Sequence, residues 1–197
     1  MAQTGLSSST NRKGGTFRHR TIDNCHARWI DASPAQIAEL FRGLAGPHDP
    51  FWPERNTEPM RFDRPIGVGA TGGHGPVRYH VTEFDPPRIA RFEFLPGTGI
   101  VGEHRFEAEP YGDGMILRHV LAGQLEGPMR LLWAPVVRWL HDETIQDAFD
   151  RAESATTGTT RPRLPPRWTR LLLRLAPRSM HEAAAAERVA RDAGVFA

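Results

Sequence analysis

The strongest constraint in the sequence is a pair of alternating segments joined by a turn, "VGEHRFEAEPYGDGMILRHVLAG", at residues 101–123. Alternation on both sides of Tyr111–Gly114 predicts two antiparallel strands with a two-residue loop. In that register, even positions of the first strand share a face with odd positions of the second. One histidine from each strand, His104 and His119, then lies on the apolar face. A three-residue loop would reverse the relative parity.

The opposite face of the predicted hairpin carries mainly charged side chains. Glu103, Arg105, Glu107 and Arg118 alternate with the apolar positions. Acidic and basic residues on neighbouring strands favour a solvated surface of cross-strand ion pairs. The reversed parity would instead bury this charge and turn it into a candidate site.

Composition limits the class of protein. The 197 residues are 39% hydrophobic, which is enough for one buried core, and Cys25 is the single cysteine. One cysteine excludes an intramolecular disulfide framework. The sequence contains no apolar run of transmembrane length and no secretory hydrophobic segment. These features predict a protein of the reducing cytoplasm.

The charge is unevenly distributed along the chain. The formal net charge is +2, but residues 1–20 carry +4, residues 21–156 carry −7 and residues 157–197 carry +5. An acidic central body without a recognition motif argues against nucleic acid as a partner.

The chain between these basic ends begins with a predicted strand and a capped helix. Asn24–Asp31 alternates through Ala27 and Trp29, which predicts a strand. Ser33 and Gln36 have the spacing of a capping box at a helix start. The buried face of that helix is predicted to carry Ile37, Leu40, Phe41 and Leu44.

The middle of the chain predicts a meander followed by a long helix. The Gly- and Pro-rich residues 46–76 indicate a loop or short helix with one or two short strands, and strands follow at 77–84 and 89–95. Residues 128–153 have helical periodicity, with Pro135 as a kink or an early boundary. The inner candidates of this helix are Leu132, Val136, Leu140, Ile145 and Phe149.

The two ends of the chain are predicted to lie outside the main domain. Residues 1–20 indicate a disordered leader, residues 21–156 the domain, and residues 157–197 a linker and helical tail. Within the tail, 163–178 forms a basic amphipathic pattern, and a capping box at Ser179 predicts a last helix. The basic segment suits docking on the acidic body, an acidic partner protein or an anionic membrane.

The order of elements, together with "GHGPVRYHVTEFDPPRIARFEF" and "HDETIQDAFDRAE", resembles bacterial START-like proteins of the SRPBCC superfamily, which contains polyketide cyclases and birch-pollen-allergen-like binders. The resemblance covers roughly residues 24–155. It implies an α+β helix-grip fold, in which a curved antiparallel sheet wraps around a long C-terminal helix, here followed by an extra helical tail. It also implies a cavity between the sheet and the helix, lined by the inward histidines.

The candidate site follows from the inward positions. His104 and His119 are the candidate catalytic residues, with Tyr79 as a further polar anchor. For the histidines, the alternatives are a hydrogen-bonded core role, a ligand contact, or acid/base catalysis. Tyr79 either donates to a ligand oxygen or is a large core aromatic. The predicted apolar wall consists of Phe92, Phe94, Phe106, Leu117 and Trp133.

Other chemistry has weaker support in the sequence. A metal site would need a third ligand such as His141 or Asp142, but no zinc spacing is present and consecutive helical residues point about 100° apart. No metal is therefore expected. The glycines of 67–75 match no phosphate-binding motif and indicate a flexible loop at the cavity mouth or a bulged hairpin, with His74 near the entrance as a candidate gate.

These features predict a domain that binds a small hydrophobic molecule. If it is an enzyme, the resemblance implies cyclase- or dehydratase-type proton transfer without a redox cofactor. The rival hypothesis is a non-catalytic interaction protein, acting through the basic helix within 163–178 on a partner protein or a membrane surface. Neither the ligand nor the oligomeric state follows from the sequence.

Overall fold

The computed structural model of the protein describes residues 20–53, 57–159 and 163–175. The predicted leader up to residue 19 and the predicted helix that starts at Ser179 lie outside the described residues. Within them, one antiparallel sheet packs against one long helix.

The sheet contains seven strands in the order β1-β7-β6-β5-β4-β3-β2, so the first strand of the chain pairs with the last. All neighbouring strands are antiparallel. The two short strands β2 and β3 confirm the prediction for residues 46–76. The bounds are β1 Arg20–Ile30, β2 Arg61–Phe62, β3 Thr71–His74, β4 Val77–Asp85, β5 Ile89–Phe94, β6 Ile100–Tyr111 and β7 Gly114–Leu125.

The β6–β7 hairpin has the predicted two-residue loop. Tyr111 pairs with Gly114, and Gly112 has a φ of 61°, a left-handed conformation that glycine adopts without strain. In this register both histidines point inward, and His104 is 5% and His119 2% exposed.

The charged face of the sheet is the solvated one, as predicted. Arg91 and Arg105 both bond Glu103, at 2.7 and 2.8 Å, and Arg105 also contacts Glu107. The Arg118 guanidinium pairs with Glu109 at 2.6 Å. These partly exposed pairs connect neighbouring strands across β5, β6 and β7.

Helix α1, Pro34–Gly43, begins with the predicted capping box. The Ser33 hydroxyl accepts a hydrogen bond from the Gln36 backbone, and the Gln36 side chain accepts one from the Ser33 backbone. The apolar face of the helix is buried, as expected from its spacing.

The long helix is divided near its start. Helix α2, Met129–Leu132, leads into a π-helical turn, Trp133–Val137, and then into α3, Arg138–Thr157. Pro135 has no backbone N–H to donate to the preceding turn, which favours this local widening. A π-helical turn contains one residue more than an α-helical turn, so it rotates the positions before it relative to α3. Trp133 is therefore buried, whereas Leu132 is 47% exposed. The prediction that Leu132 faces inward is therefore wrong.

Strand β1 starts four residues earlier than predicted and presents an unexpected face to the core. Ala27 and Trp29 lie on its exposed side. Asn24, His26 and Arg28 point inward and bond residues of α3. Between the buried Ile22 and Ile30, the inner face of β1 is polar because it meets a polar face of the long helix.

The helices at the C-terminal end of the described chain extend beyond the predicted domain. Helix α3 extends to Thr157, beyond the predicted end at Glu153, and a last described helix, α4, spans Arg167–Leu175. Among the described residues, no helix combines the length and apolarity needed to cross a bilayer.

The capping box gives a direct test of the α1 assignment. Ser33→Ala removes the acceptor for a backbone N–H of the first turn, so the free energy of unfolding should fall by about 1 kcal/mol. Urea denaturation measures the change. Glu39→Ala, at an exposed position of the same helix, is the control and should cost clearly less. Equal losses for both variants would contradict a specific capping role.

Candidate functional site

A row of four imidazoles crosses the inner face of the sheet and reaches the long helix. The ring centroids of His104 and His119 are 5.5 Å apart, and those of His119 and His141 are 5.1 Å apart. His26 continues the row at 6.1 Å from His141. The residues come from β6, β7, α3 and β1 respectively, so only the folded chain assembles them.

The sequence analysis identified part of this row. His104 and His119 were candidate site residues, and His141 entered only as a possible third metal ligand. His26 was missed, although it lies directly opposite His119 in the β1–β7 pairing. Only the pairing of the first and last strands reveals this proximity.

Aromatic rings surround the inner end of the row. His104 stacks on Phe92 with a centroid distance of 4.7 Å, and the Tyr79 ring meets it edge-on at 4.7 Å. Phe94 lies 5.2 Å from His104, and Phe106 lies 4.8 Å from His119.

Trp133 and Leu117, the other two residues of the predicted apolar wall, lie outside this group of rings. Trp133 approaches the outer part of the row, 5.9 Å from the ring of His141. Leu117 is fully buried on the same strand as His119. All eight predicted ligand-binding residues are therefore buried, and six of them form one contiguous aromatic cluster.

Several polar atoms in this cluster are unpaired. The His119 Nε2 and His104 Nδ1 atoms are 3.4 Å apart, a long hydrogen bond. The Tyr79 hydroxyl, His104 Nε2 and His119 Nδ1 have no hydrogen-bond partner among the described residues. A buried polar group without a partner costs about 1–3 kcal/mol, so three of them on neighbouring side chains require a physical explanation.

Burial keeps the inner groups uncharged. It lowers the pKa of both His104 and His119 well below the usual histidine value, and repulsion from neighbouring imidazoles adds to the effect. Burial also raises the pKa of Tyr79. At neutral pH the inner site therefore offers neutral imidazoles and a protonated phenol, which can donate and accept hydrogen bonds without net charge.

The outer end of the row is a hydrogen-bonded network. Arg28 donates to the Gln146 carbonyl oxygen at 2.8 Å, which leaves the Gln146 amide nitrogen to donate to His26 Nδ1 at 3.2 Å. His26 Nε2 then carries the proton and donates to Asp142 at 3.0 Å. Asn24 donates to the same carboxylate oxygen at 2.9 Å. This network fixes the tautomer of His26.

Asp142 remains ionised in this network. Burial raises the pKa of Asp142, but the neighbouring His141 imidazole, 3.6 Å away, and the hydrogen bonds from His26 and Asn24 outweigh it and hold the pKa well below its usual range. Burial lowers the pKa of His141, while the neighbouring Asp142 raises it. The end of the row at His104 is thus neutral and apolar, whereas His26 and His141 at the other end lie against the ionised carboxylate of Asp142.

The same outer groups are the ones that could hold a metal ion. Ligand atoms of His26, His141 and Asp142 lie within 4.8 Å of one another, and two imidazoles with one carboxylate form a known ligand set for transition metals. Glu143 points elsewhere, to Arg163, as the helical spacing predicts. Both ring nitrogens of His26 already make hydrogen bonds, so a metal ion would have to displace the bond to Asp142.

His74 lies between the inner cluster and the outside. Its ring is 4.8 Å from Trp52 and 6.0 Å from Tyr79. A cleft of about 250 Å³ beside β2 and β3 has His74 and Phe62 in its wall. Burial lowers the pKa of His74 to about 4. Residues 71–74 form strand β3 in a hairpin with β4, and a gating role for His74 stays a prediction.

Solved structures share this arrangement of sheet and helix. Norcoclaurine synthase from Thalictrum flavum, in complex with dopamine and hydroxybenzaldehyde, superposes with a TM-score of 0.54 at 12% identity, covering 81% of this chain and 100% of that chain. The protein has the helix-grip fold of the START-like proteins. A helix-grip protein from Thermus thermophilus gives a TM-score of 0.51 at 18% identity, over 70% of this chain and 98% of that chain.

No family model matches the sequence, and no curated protein matches it either. At 12% and 18% identity, the likeness to the helix-grip structures shows the fold alone. Any activity must be argued from the site itself.

The unpaired hydroxyl of Tyr79 can be tested by deletion. Tyr79→Phe keeps the ring and removes a buried group without a partner, so the free energy of unfolding should rise by about 1 kcal/mol. Urea denaturation of the ligand-free protein measures it. The exposed residue Tyr111 provides the matched control, because Tyr111→Phe should change stability by only a few tenths of a kcal/mol. A large loss of stability in Tyr79→Phe would show that the hydroxyl is hydrogen-bonded.

The neutral histidines predict a pH dependence of stability. Below the usual histidine pKa of 6.5, unfolded His119 binds a proton that the buried residue excludes. Its contribution is therefore constant above pH 6.5 and falls by about 1.4 kcal/mol for each pH unit below it. His119→Gln should make the slope of unfolding free energy against pH shallower, by about half of this amount at pH 6.5 and by nearly all of it about one pH unit lower. Tyr79→Phe, which removes no group titrating there, should keep the wild-type slope, and an unchanged slope in His119→Gln would refute the assignment.

Proposed function

We propose that this helix-grip domain binds a small, largely hydrophobic molecule between the sheet and the long helix. The observation that carries the proposal is the group of unpaired polar atoms on Tyr79, His104 and His119 inside an aromatic wall. Polar groups of a ligand placed beside them would satisfy donors and acceptors that the described residues leave unpaired.

The character of the site favours a neutral ligand. The inner imidazoles are uncharged, the phenol is protonated, and the surrounding rings of Phe92 and Phe94 are apolar. A charged ligand would lose its hydration without gaining an opposite charge. An alcohol, a phenol or a carbonyl group on an apolar skeleton fits these constraints.

The cleft at His74 supports a route to this site. It opens beside β2 and β3, and Phe62 in its wall also contacts the rings of Tyr79 and Phe92. A molecule entering there would meet Tyr79 first and His104 next. The bound dopamine and hydroxybenzaldehyde of norcoclaurine synthase support the proposal in one respect, since that protein of the same fold is seen with small hydroxylated aromatic molecules.

A cyclase- or dehydratase-type activity is the second candidate. It is favoured by a neutral imidazole beside a protonated phenol: Tyr79 would donate to a carbonyl oxygen while His104 or His119 accepted a proton from a neighbouring carbon. Burial opposes it, because the same environment that lowers the pKa of the histidines makes the imidazolium unfavourable. Binding is therefore the primary proposal, and residues 21–156, with α3 completed at Thr157, form the proposed binding domain in the cytoplasm.

Ligand binding is tested first on the purified protein. Native mass spectrometry should reveal a small molecule that co-purifies with the wild type, and 2-naphthol serves as a neutral hydroxylated probe in calorimetric titrations. Tyr79→Phe should weaken 2-naphthol binding about tenfold, because one hydrogen bond to the ligand is lost. Tyr111→Phe should bind as the wild type does.

One set of results would contradict the ligand-binding proposal. A wild type that carries no small molecule and does not bind 2-naphthol, with unchanged stability in both tyrosine variants, would identify the aromatic cluster as ordinary core. Turnover is assayed separately. If His119→Gln still binds the ligand but no longer forms product, the catalytic alternative is favoured.

A further inference from the structure

A second surface, formed by residues outside the histidine row, has features that the ligand site does not explain. Trp168, Leu171 and Leu175 follow the i, i+3, i+7 spacing along α4 and form one helical face. All three are exposed, and Leu164, just before the helix, is 82% exposed. We name this face, together with Leu131 and Leu132 of α2, the apolar patch.

The structure brings both parts of the apolar patch to one end of the molecule. The Trp168 indole N–H donates to the backbone oxygen of Pro135 at 2.9 Å, which places α4 beside the π-helical turn that follows α2. In α2, Leu131 is 79% exposed. Large apolar side chains gathered on one surface of a folded protein mark an interaction site.

The position of α4 is defined by a second set of contacts. Arg163 makes a bidentate pair with the buried Glu143, at 2.7 and 3.0 Å, and also reaches Asp147 and Asp150, at 3.1 and 3.3 Å. Thr169 is buried against the body. These contacts hold the segment on α3 while leaving its apolar face exposed, so docking on the acidic body and presentation of an apolar surface occur together.

The charged residues of the segment that carries α4 have a single sign. Arg167, Arg170 and Arg174 are exposed on α4, and residues 163–175 contain no acidic residue. Arginine stems can lie along an apolar surface while their guanidinium groups reach phosphate oxygens. This side of the protein is therefore complementary to an anionic, partly apolar surface.

We propose that the apolar patch and its arginines dock the protein onto an anionic membrane surface, with α4 parallel to the bilayer plane. Leucine side chains and one tryptophan would enter the region between headgroups and acyl chains, and the three arginines would bind lipid phosphates. The proposal concerns residues other than those of the ligand site and stands whether or not a ligand binds.

The shape of the patch favours a membrane over a protein partner. Leu131 and Leu164 project outward, each about four-fifths exposed. Protein interfaces of comparable apolarity bury their anchors in shaped pockets on the partner. A fluid bilayer accommodates projecting side chains from two separate segments without a matching pocket.

The test is co-sedimentation of the full chain with vesicles. Vesicles of phosphatidylcholine with phosphatidylserine should bind the protein, and vesicles of phosphatidylcholine alone should bind it much less. Arg170→Gln with Arg174→Gln should weaken binding to the anionic vesicles roughly 25-fold, at about fivefold for each arginine. Leu171→Ser with Leu175→Ser should abolish it, and high salt should weaken the wild type.

Controls distinguish docking from general stickiness or misfolding. Val101→Ser removes an exposed apolar residue on the sheet and should bind as the wild type does. The substituted residues of α4 are exposed, so thermal unfolding should stay unchanged in each variant. Absence of vesicle binding, or binding that survives the leucine substitutions, overturns the proposal. Self-association in solution that these substitutions abolish, without vesicle binding, would instead identify the patch as an interface between copies of the chain.

Discussion

The two-residue turn at Gly112 and Asp113 decides which side of each long strand faces the core. With that turn, His104 and His119 point inward and the arginine–glutamate pairs point outward. A shift of one residue would bury the ion pairs and expose the imidazoles, at a large cost in desolvation. The whole inner face of the sheet, and with it the candidate site, depends on this register.

Burying several histidines has a defined energetic consequence. Desolvation keeps His104 and His119 neutral by lowering the pKa of both, so the folded state excludes protons that the unfolded chain binds in mild acid. The cost is moderated at the outer end, where Asp142 and Gln146 satisfy both nitrogens of His26. At the inner end, unpaired atoms remain next to aromatic rings. Unpaired atoms also occur at the outer end, on Asn24 and His141, but there they lie beside the ionised Asp142, whereas the neutral, aromatic surroundings of Tyr79, His104 and His119 make the inner end the proposed ligand site.

Local sequence patterns predicted those parts of the fold that depend on near neighbours. Ser33 and Gln36 predicted the start of α1, and the alternation around Gly112 predicted the hairpin with its inward histidines. The inward position of Leu132 was wrong because Pro135 widens the helix by one residue, a change that helical periodicity does not contain. His26 was missed because its proximity to His119 depends on β1 pairing with β7, about a hundred residues away in the chain.

The sequence by itself determined the alternation of the strands, the capped first helix, the inward histidines and the basic character of the tail, because each depends on residues within a few positions of one another. Only the tertiary structure decided that four imidazoles form one row and that Arg163 pairs with three carboxylates of α3. It also decided that Trp168 lies beside Pro135. Those contacts join distant segments, and their geometry follows from how the sheet closes on the long helix.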